Sequence, residues 1–315
     1  MEIGNVKGIS ERLRKNISKV IVGKDDVVDK VLIALFASGH VLLEDMPGTG
    51  KTTLAKTLAA SVDCTCTRVQ FTPDLLPSDL TGINYYNQKL GDFVFRSGPI
   101  FTNILLADEI NRATPRTQSS LLECMEEGQI TVDASTYRLE EPFFVIATQN
   151  PIETQGTYPL PEAQMDRFLM KLSVGYPERD AEAEMLGRFE RESPLSEVKA
   201  VVSRQEVTEA QKAVRSVALS GDVRQYIVSI SEASRNHPNV RLGVSPRGSL
   251  ALMRASQVRA AFEGRDYVTP DDVKAMAFSV IGHRILCKGG ISLRDSDTAA
   301  GIVEEILASV PVPLE

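Results

Sequence analysis

Residues 42–52 of the chain read LLEDMPGTGKT: an apolar run, then glycines, a lysine and a threonine, with a second threonine at 53. Those residue types at that spacing can hold a polyphosphate. Glycines let the main chain approach the oxygens, backbone N–H groups point inward, and the helix that follows offers its positive end. Pro47, Gly48, Thr49, Gly50, Lys51, Thr52 and Thr53 would form the cradle, with Lys51 reaching the β- and γ-phosphates and the Thr52 hydroxyl holding Mg²⁺. One letter departs from the pattern G-x-x-x-x-G-K-[ST]: Asp45 stands where the first glycine belongs. That position lies at a strand end, before the cradle closes. The carboxylate is therefore expected to aim away from the nucleotide and to cost little.

A second stretch, ILLADEINR (104–112), ends an apolar run on two adjacent acids. Asp108 suits a metal, directly or through water, and Glu109 suits activation of an attacking water. An acidic turn after a core strand is the competing reading; the phosphate loop upstream favours the catalytic one. In VIATQNP (145–151), Asn150 ends another apolar strand, placed either to sense a γ-phosphate or to form an Asn-Pro turn. In LPEAQMDRF (160–168), Arg167 follows Asp166 at a helix end. It is a candidate arginine finger, with a structural ion pair as the alternative. In GVSPRGSLAL (243–252), Arg247 falls in the first turn of a helix, where positive charge is unfavourable. It asks for an anion partner, phosphate being one candidate and plain solvation the other outcome.

The elements needed to position these residues are visible in the hydrophobic pattern. Residues 10–38 read as two helices broken by VIVGKDD, and His40–Glu44 as a buried strand entering the loop. Thr52–Ser61 is helical, Arg68–Phe71 a strand, and residues 76–100 a helix interrupted by a hairpin turned at Lys89–Gly91. Phe101–Asp108, Pro142–Thr148 and Phe168–Val174 are further strands. Pro115–Glu127 is a helix, and residues 130–140 form a second hairpin around Ala134–Thr136. Strands alternating with helices predict a parallel, doubly wound α/β sheet. After Tyr176–Pro177 the pattern turns helical, with Leu250–Glu263 and Pro270–Ile281 the clearest segments and Thr269 capping the latter. A helical second domain is expected to begin between 177 and 195. The division is placed as 1–185 and 186–315.

Bulk properties bound the answer. The chain has 315 residues, enough for about two domains, with 43% hydrophobic and 24% charged residues, an ordinary globular mix. No apolar run approaches the roughly 18 residues of a membrane span, and MEIGNVKGISERLRKN lacks the apolar stretch of a signal peptide. Direct membrane insertion is not expected, and a cytoplasmic location is. The formal net charge of −7 argues against a protein whose main work is neutralising nucleic-acid phosphates. Cys64, Cys66, Cys124 and Cys287 lack the spacing of a zinc site and read as reduced thiols.

Taken together, LLEDMPGTGKT, GPIFTNILLADEINRATPRTQSSLLECMEEGQITVD, FFVIATQNPIETQGTYPLPEAQMDRFLMKL, GVSPRGSLALMRASQVRAAFEGRDYVTPDDV and IGHRI resemble an AAA+ ATPase of the MoxR family, over about Ser10 to Ile285. The resemblance implies a P-loop NTPase core of residues 1–185 with helix-2 and pre-sensor-1 hairpin inserts, and an all-α lid of 186–315. It implies ATP/ADP and Mg²⁺ as ligands. Lys51 and Thr52 match Walker A, Asp108 and Glu109 match Walker B with Glu109 the hydrolytic glutamate, Asn150 matches sensor 1, Arg167 the arginine finger and Arg247 sensor 2. Val22 and Gly23 match the loop against adenine. It further implies a homo-oligomer, a hexameric ring with nucleotide at subunit interfaces. Arg167 would act on the neighbour's ATP and Arg247 within its own subunit. Family members resemble chaperones that remodel or activate client proteins, often ones with a von Willebrand A domain. Asp45 departs from the Walker A pattern and bears on nucleotide affinity. A magnesium-chelatase-like motor subunit and a DNA-linked motor share the core and are the alternatives; a small-molecule kinase fits less well.

Overall fold

The computed structural model describes residues 1–46, 48–133, 135–151, 156–190, 193–288 and 296–313. Two helices open the chain, α1 (Ile3–Ile17) and α2 (Asp25–Phe36). In α1 the apolar positions Val6, Ile9, Leu13 and Ile17 recur at helical spacing and are buried. In α2, Asp25 and Asp26 lie in the first turn, where the helix dipole favours them. The chain then lays down β1 (Val41–Glu44), α3 (Lys51–Val62) and β2 (Cys66–Gln70), followed by the short α4 (Pro77–Thr81) and a hairpin of β3 (Gly82–Asn87) and β4 (Asp92–Ser97). Next come β5 (Ile104–Asp108), α5 (Pro115–Glu127), a second hairpin of β6 (Gln129–Val132) and β7 (Ser135–Arg138), then β8 (Phe144–Gln149), α6 (Glu162–Met165) and β9 (Met170–Leu172).

The five strands β2-β5-β8-β1-β9 form one sheet in that order, and every pairing in it is parallel. Side chains alternate between its faces. Val41, Leu43, Ile104, Leu106, Phe144 and Ile146 join one buried cluster, and Leu42, Leu105, Ala107, Val145 and Ala147 the other. Both faces are covered, as parallel sheets require. The second face packs against α5 through Leu121, Leu122 and Met125.

Among the described residues, the regular elements of the remainder are helices apart from a short ribbon. It comprises α7 (Arg179–Phe189), α8 (Arg204–Val214), α9 (Gly221–Asn236), α10 (Pro246–Phe262), α11 (Pro270–Ile281) and α12 (Ser296–Ser309), with β10 (Val240–Leu242) pairing antiparallel to β11 (Leu286–Cys287). Thr269 stands at the N-cap of α11 as expected, but the side chain that caps is that of Asp272, which accepts from the N–H and hydroxyl of Thr269, both at 2.9 Å. The division expected at 185/186 falls inside α7. This helical part shares the first hydrophobic cluster with α1, α2 and the sheet; Phe36 and Phe262 meet edge to face at 5.3 Å.

His40, just before β1, ties three elements together. Its Nε2–H donates to the Met125 carbonyl at 2.9 Å, and its Nδ1 accepts from the Val145 N–H at 3.0 Å. Complete burial pushes the imidazole pKa down from 6.5 to about 4. The folded state therefore keeps His40 neutral where the unfolded chain binds a proton. This contribution to stability is present above pH 6.5 and is lost as pH falls towards 4. In all it amounts to roughly 3 kcal/mol. His40→Gln is expected to lower stability at pH 7 and to flatten the pH dependence between 6.5 and 4 relative to wild type. Denaturant melts across that range measure both effects.

Candidate nucleotide site

Because the strands are parallel, their C-terminal ends share one edge, and most of the predicted chemistry converges there. β1 leads into the loop, and α3 begins at Lys51 with its first N–H groups available to an anion. Gly48 and Gly50 have φ of +85° and +84°, a region costly for other residues, and open space where a Cβ would stand. The cradle is thus open, and the residues fit a polyphosphate. Pro47 lies outside the described residues. The Thr49 hydroxyl donates to the Met46 carbonyl at 3.2 Å, Thr52 stands in the first turn of α3, and Thr53 accepts at its carbonyl from the Thr57 hydroxyl at 2.7 Å. Lys51 donates from Nζ to the Asp45 carbonyl at 2.9 Å. Burial lowers its pKa, opposed by the carboxylates of Asp45, Asp108 and Glu109. A second anion beside it would strengthen that opposition.

Asp45 answers the question its sequence position raised. Its carboxylate turns away from the loop towards the chain leaving β9, where it accepts from the Ser173 hydroxyl at 2.9 Å, the Gly175 N–H at 3.1 Å and the Val174 N–H. The side chain is buried and fully engaged, so it ties the loop's base to the segment leading into α7.

The acid pair follows β5. The Thr148 hydroxyl donates to Asp108 Oδ1 at 2.6 Å and accepts from the Glu109 N–H at 2.8 Å. Arg68 donates to Asp108 Oδ2 from Nε at 3.0 Å and Nη2 at 2.6 Å. Glu109 adopts φ +57°, an uncommon conformation for a non-glycine residue, which turns the chain out of the strand. Its Oε2 accepts from Gln70 at 2.5 Å and lies 3.1 Å from Arg112 Nε. Asn150 is buried one residue beyond β8, beside Asp45, whose N–H donates to the Gln149 carbonyl at 3.2 Å. Thr148, Arg68 and Gln70 were not singled out from the sequence. Strand alternation towards the tips carrying the acids was the only available signal.

Val22 and Gly23 lie in the turn between α1 and α2. Gly23 has φ +67°, and a Cβ there would come within 2.6 Å of the Ala181 Cβ in α7. Lys24 donates from Nζ to the Tyr176 carbonyl at 2.7 Å. The turn is thus seated against the same segment that Asp45 grips.

Arg167 and Arg247 occupy the opposite edge of the sheet. They line an open cavity of about 380 Å³ with Ser38, Gly39 and His40, which precede β1, and Leu169, which precedes β9. The four residues of β1, about 13 Å of strand, separate this edge from the phosphate loop. Both arginines pair with Glu126 near the end of α5, Arg167 through Nε at 3.4 Å and Arg247 through Nη2. The anion that Arg247 asked for is therefore a carboxylate, shared with Arg167. The expected service of Arg247 to its own subunit's nucleotide would have to reach across the sheet from this edge. The lid packs on α1, α2 and β9, and its helix α10 starts at the edge opposite the phosphate loop. Neighbouring Asp166 accepts from Arg284 Nε at 2.7 Å and from the Ser245 hydroxyl at 2.8 Å, while Ser245 caps α10. Arg284 is buried and also donates to the carbonyls of Asp166, Phe168 and Leu169 at 3.1, 2.5 and 3.2 Å.

A parallel sheet in this order, a glycine loop entering α3, an Asp-Glu pair at the tip of β5 and a helical lid define an AAA+ ATPase. Residues 40–170 match the model of the ATPase family associated with various cellular activities (AAA), and residues 232–306 match the AAA lid domain. The chain is 49% identical over 301 residues to YeaC of Bacillus subtilis, covering 96% of this chain and 94% of that one. It is 38% identical over 312 residues to the chaperone MoxR1 of Mycobacterium tuberculosis, covering 96% and 82%. A crystal structure of a candidate ATPase from Cytophaga hutchinsonii superposes with a TM-score of 0.89 at 38% identity, covering 98% of this chain and 96% of that one. The chain belongs to the MoxR family of AAA+ ATPases.

Restoring the motif glycine should do harm. Asp45→Gly strands the donors of Ser173, Val174 and Gly175, and is expected to destabilise the fold by about 2 kcal/mol without tightening nucleotide binding. Chemical denaturation and titration with a fluorescent ATP analogue test the two halves separately.

Proposed function

We propose that this protein binds ATP with Mg²⁺ and hydrolyses it to ADP and phosphate at the interfaces of a homo-oligomeric ring, a hexamer, to remodel or activate a client protein. The observation that carries this reading is the division of the polar machinery between opposite edges of one sheet. Lys51, Thr52, Asp108, Glu109 and Asn150 gather at one edge, Arg167 and Arg247 at the other. A site needing both sets is complete only when a second copy presents its arginine edge to the first copy's loop. On this reading both arginines act in trans.

Within the site, the loop N–H groups and Lys51 bind and orient the phosphates. Thr52 and Asp108, a hydroxyl and a carboxylate, are hard oxygen donors of the kind Mg²⁺ takes. When bound, that ion neutralises charge on the β- and γ-oxygens. Glu109 accepts the proton of the attacking water, and Asn150 orients water or γ-phosphate. Thr148 keeps both acids in place, since one hydroxyl bonds the Asp108 carboxylate and the Glu109 backbone. The neighbour's arginines stabilise charge on the transferring phosphoryl group. Val22 and Gly23 flank the adenine.

The client reading is supported by the hairpins and by the name chaperone carried by the Mycobacterium tuberculosis relative. Tyr85, Tyr86 and Phe93 stay exposed on the β3–β4 hairpin, while Phe95 stacks on Tyr137 of the other hairpin at 4.1 Å. We place both hairpins on the client-facing surface, with a von Willebrand A domain protein as the client class. The division into an ATPase core, residues 1–185, and a lid, 186–315, is part of this proposal, with α7 as the connecting helix. Among the described residues no helix is long and apolar enough to cross a membrane. We assign the protein to the cytoplasm, without a nucleic-acid partner.

Glu109→Gln is expected to bind ATP and assemble while turnover falls at least about 100-fold, as loss of a general base does. Turnover close to wild type would remove Glu109 from the mechanism. Arg167→Ala subunits and Lys51→Ala subunits, each inactive alone, should regain activity when mixed. Absence of recovery at every ratio, with rings formed, would rule out action in trans.

A further inference from the structure

We propose that Glu126 is a positioning residue that holds Arg167 and Arg247 as one unit, so that both reach the neighbour's phosphate in register. This rests on the reading that the two arginines act across a subunit interface.

The two guanidiniums arrive from different parts of the chain, one from the turn after α6 and one from the first turn of α10 in the lid. They repel each other, and a carboxylate between them removes that repulsion. Glu126 supplies it, with Oε1 on Arg247 Nη2 and Oε2 at 3.4 Å from Arg167 Nε. The other carboxylate of the cavity, Asp166, is already committed to Arg284 and Ser245. Four arginines line the cavity, at 167, 247, 254 and 284, against these two acids. An excess of positive charge therefore remains for an incoming anion. The three side chains are 31%, 41% and 43% exposed, for Arg167, Glu126 and Arg247. Ion pairs that wet contribute little to folding stability. What the bridge sets is geometry, since each guanidinium has five donors and keeps others for a phosphate.

Glu126→Ala is expected to lower kcat about 10- to 100-fold through misplacement of the arginines. Binding of a fluorescent ATP analogue at the subunit's own loop, ring assembly by light scattering and thermal midpoint should stay at wild-type values. Glu126→Gln, which still offers an acceptor, should fall between. With Arg247→Ala already present, Glu126→Ala should add less than about a twofold further loss. Mixing Glu126→Ala with Lys51→Ala subunits should restore turnover, because the latter present an intact arginine pair to the former's working loop. A Glu126→Ala kcat at or above wild type would overturn the proposal and make Glu126 dispensable or inhibitory. A loss that mixing does not restore would also overturn it, provided the Arg167→Ala and Lys51→Ala mixture does recover. If that control fails too, the interface reading falls and the proposal with it.

Discussion

The polarity of a parallel sheet governs this molecule. Every strand delivers its last residue to the same edge, so the polar side chains that end β1, β5 and β8 are neighbours without any long-range instruction. The same rule sends each crossover helix back to the other edge. Thirteen residues of α5 cover about 20 Å, taking the chain from just beyond the Asp108–Glu109 pair to Glu126 beside the arginines. Proximity at one edge and exclusion from the other are two results of one topology. An arginine that precedes a strand lies at the far end of that strand from a loop that follows it.

The C-terminal edge also shows how a concentrated set of polar groups is kept in order. Asp45 exchanges the flexibility of a glycine for three hydrogen bonds to the chain after β9. Thr148 is buried and satisfies a backbone donor and a carboxylate with one hydroxyl. Arg68 and Gln70 come from the neighbouring strand and hold the acids from the side, and Arg68 also donates to Gln70 at 2.8 Å. Groups of this kind fix the rotamers of the residues proposed to do the chemistry, which is what positional accuracy at a reactive centre demands.

Much of the fold could be read from the chain because local signals agreed with the tertiary result. The apolar runs that open LLEDMPGTGKT and ILLADEINR are buried on both faces and read as interior strands. Proline at the start of α5 and the turn at Lys89–Gly91 marked their elements directly. Boundaries were read less well. The first helix begins at Ile3, ahead of residue 10, because packing against α3, α8 and α10 extends it through a weakly patterned start. At the site, the glycine loop and the acid pair were evident from residue type and spacing. Arg68, Gln70 and Thr148 were not, since their importance comes from adjacency across strands. The edge at which Arg247 lies was not legible for a related reason. Where a helix begins along the chain says nothing about which edge of the sheet its first turn faces.

The lid and the amino-terminal helices are not separate bodies touching at a seam. Leu13, Phe36, Leu58, Val207, Leu252 and Phe262 belong to one continuous dry interior. Swinging the lid open would wet that interior, at a cost comparable to unfolding a sizeable part of the molecule. The chain therefore behaves as one stiff body. On the proposed reading, a stroke that accompanies the phosphate's loss is expressed as whole subunits tilting against one another, the arginine edge of one pivoting on the loop of the next.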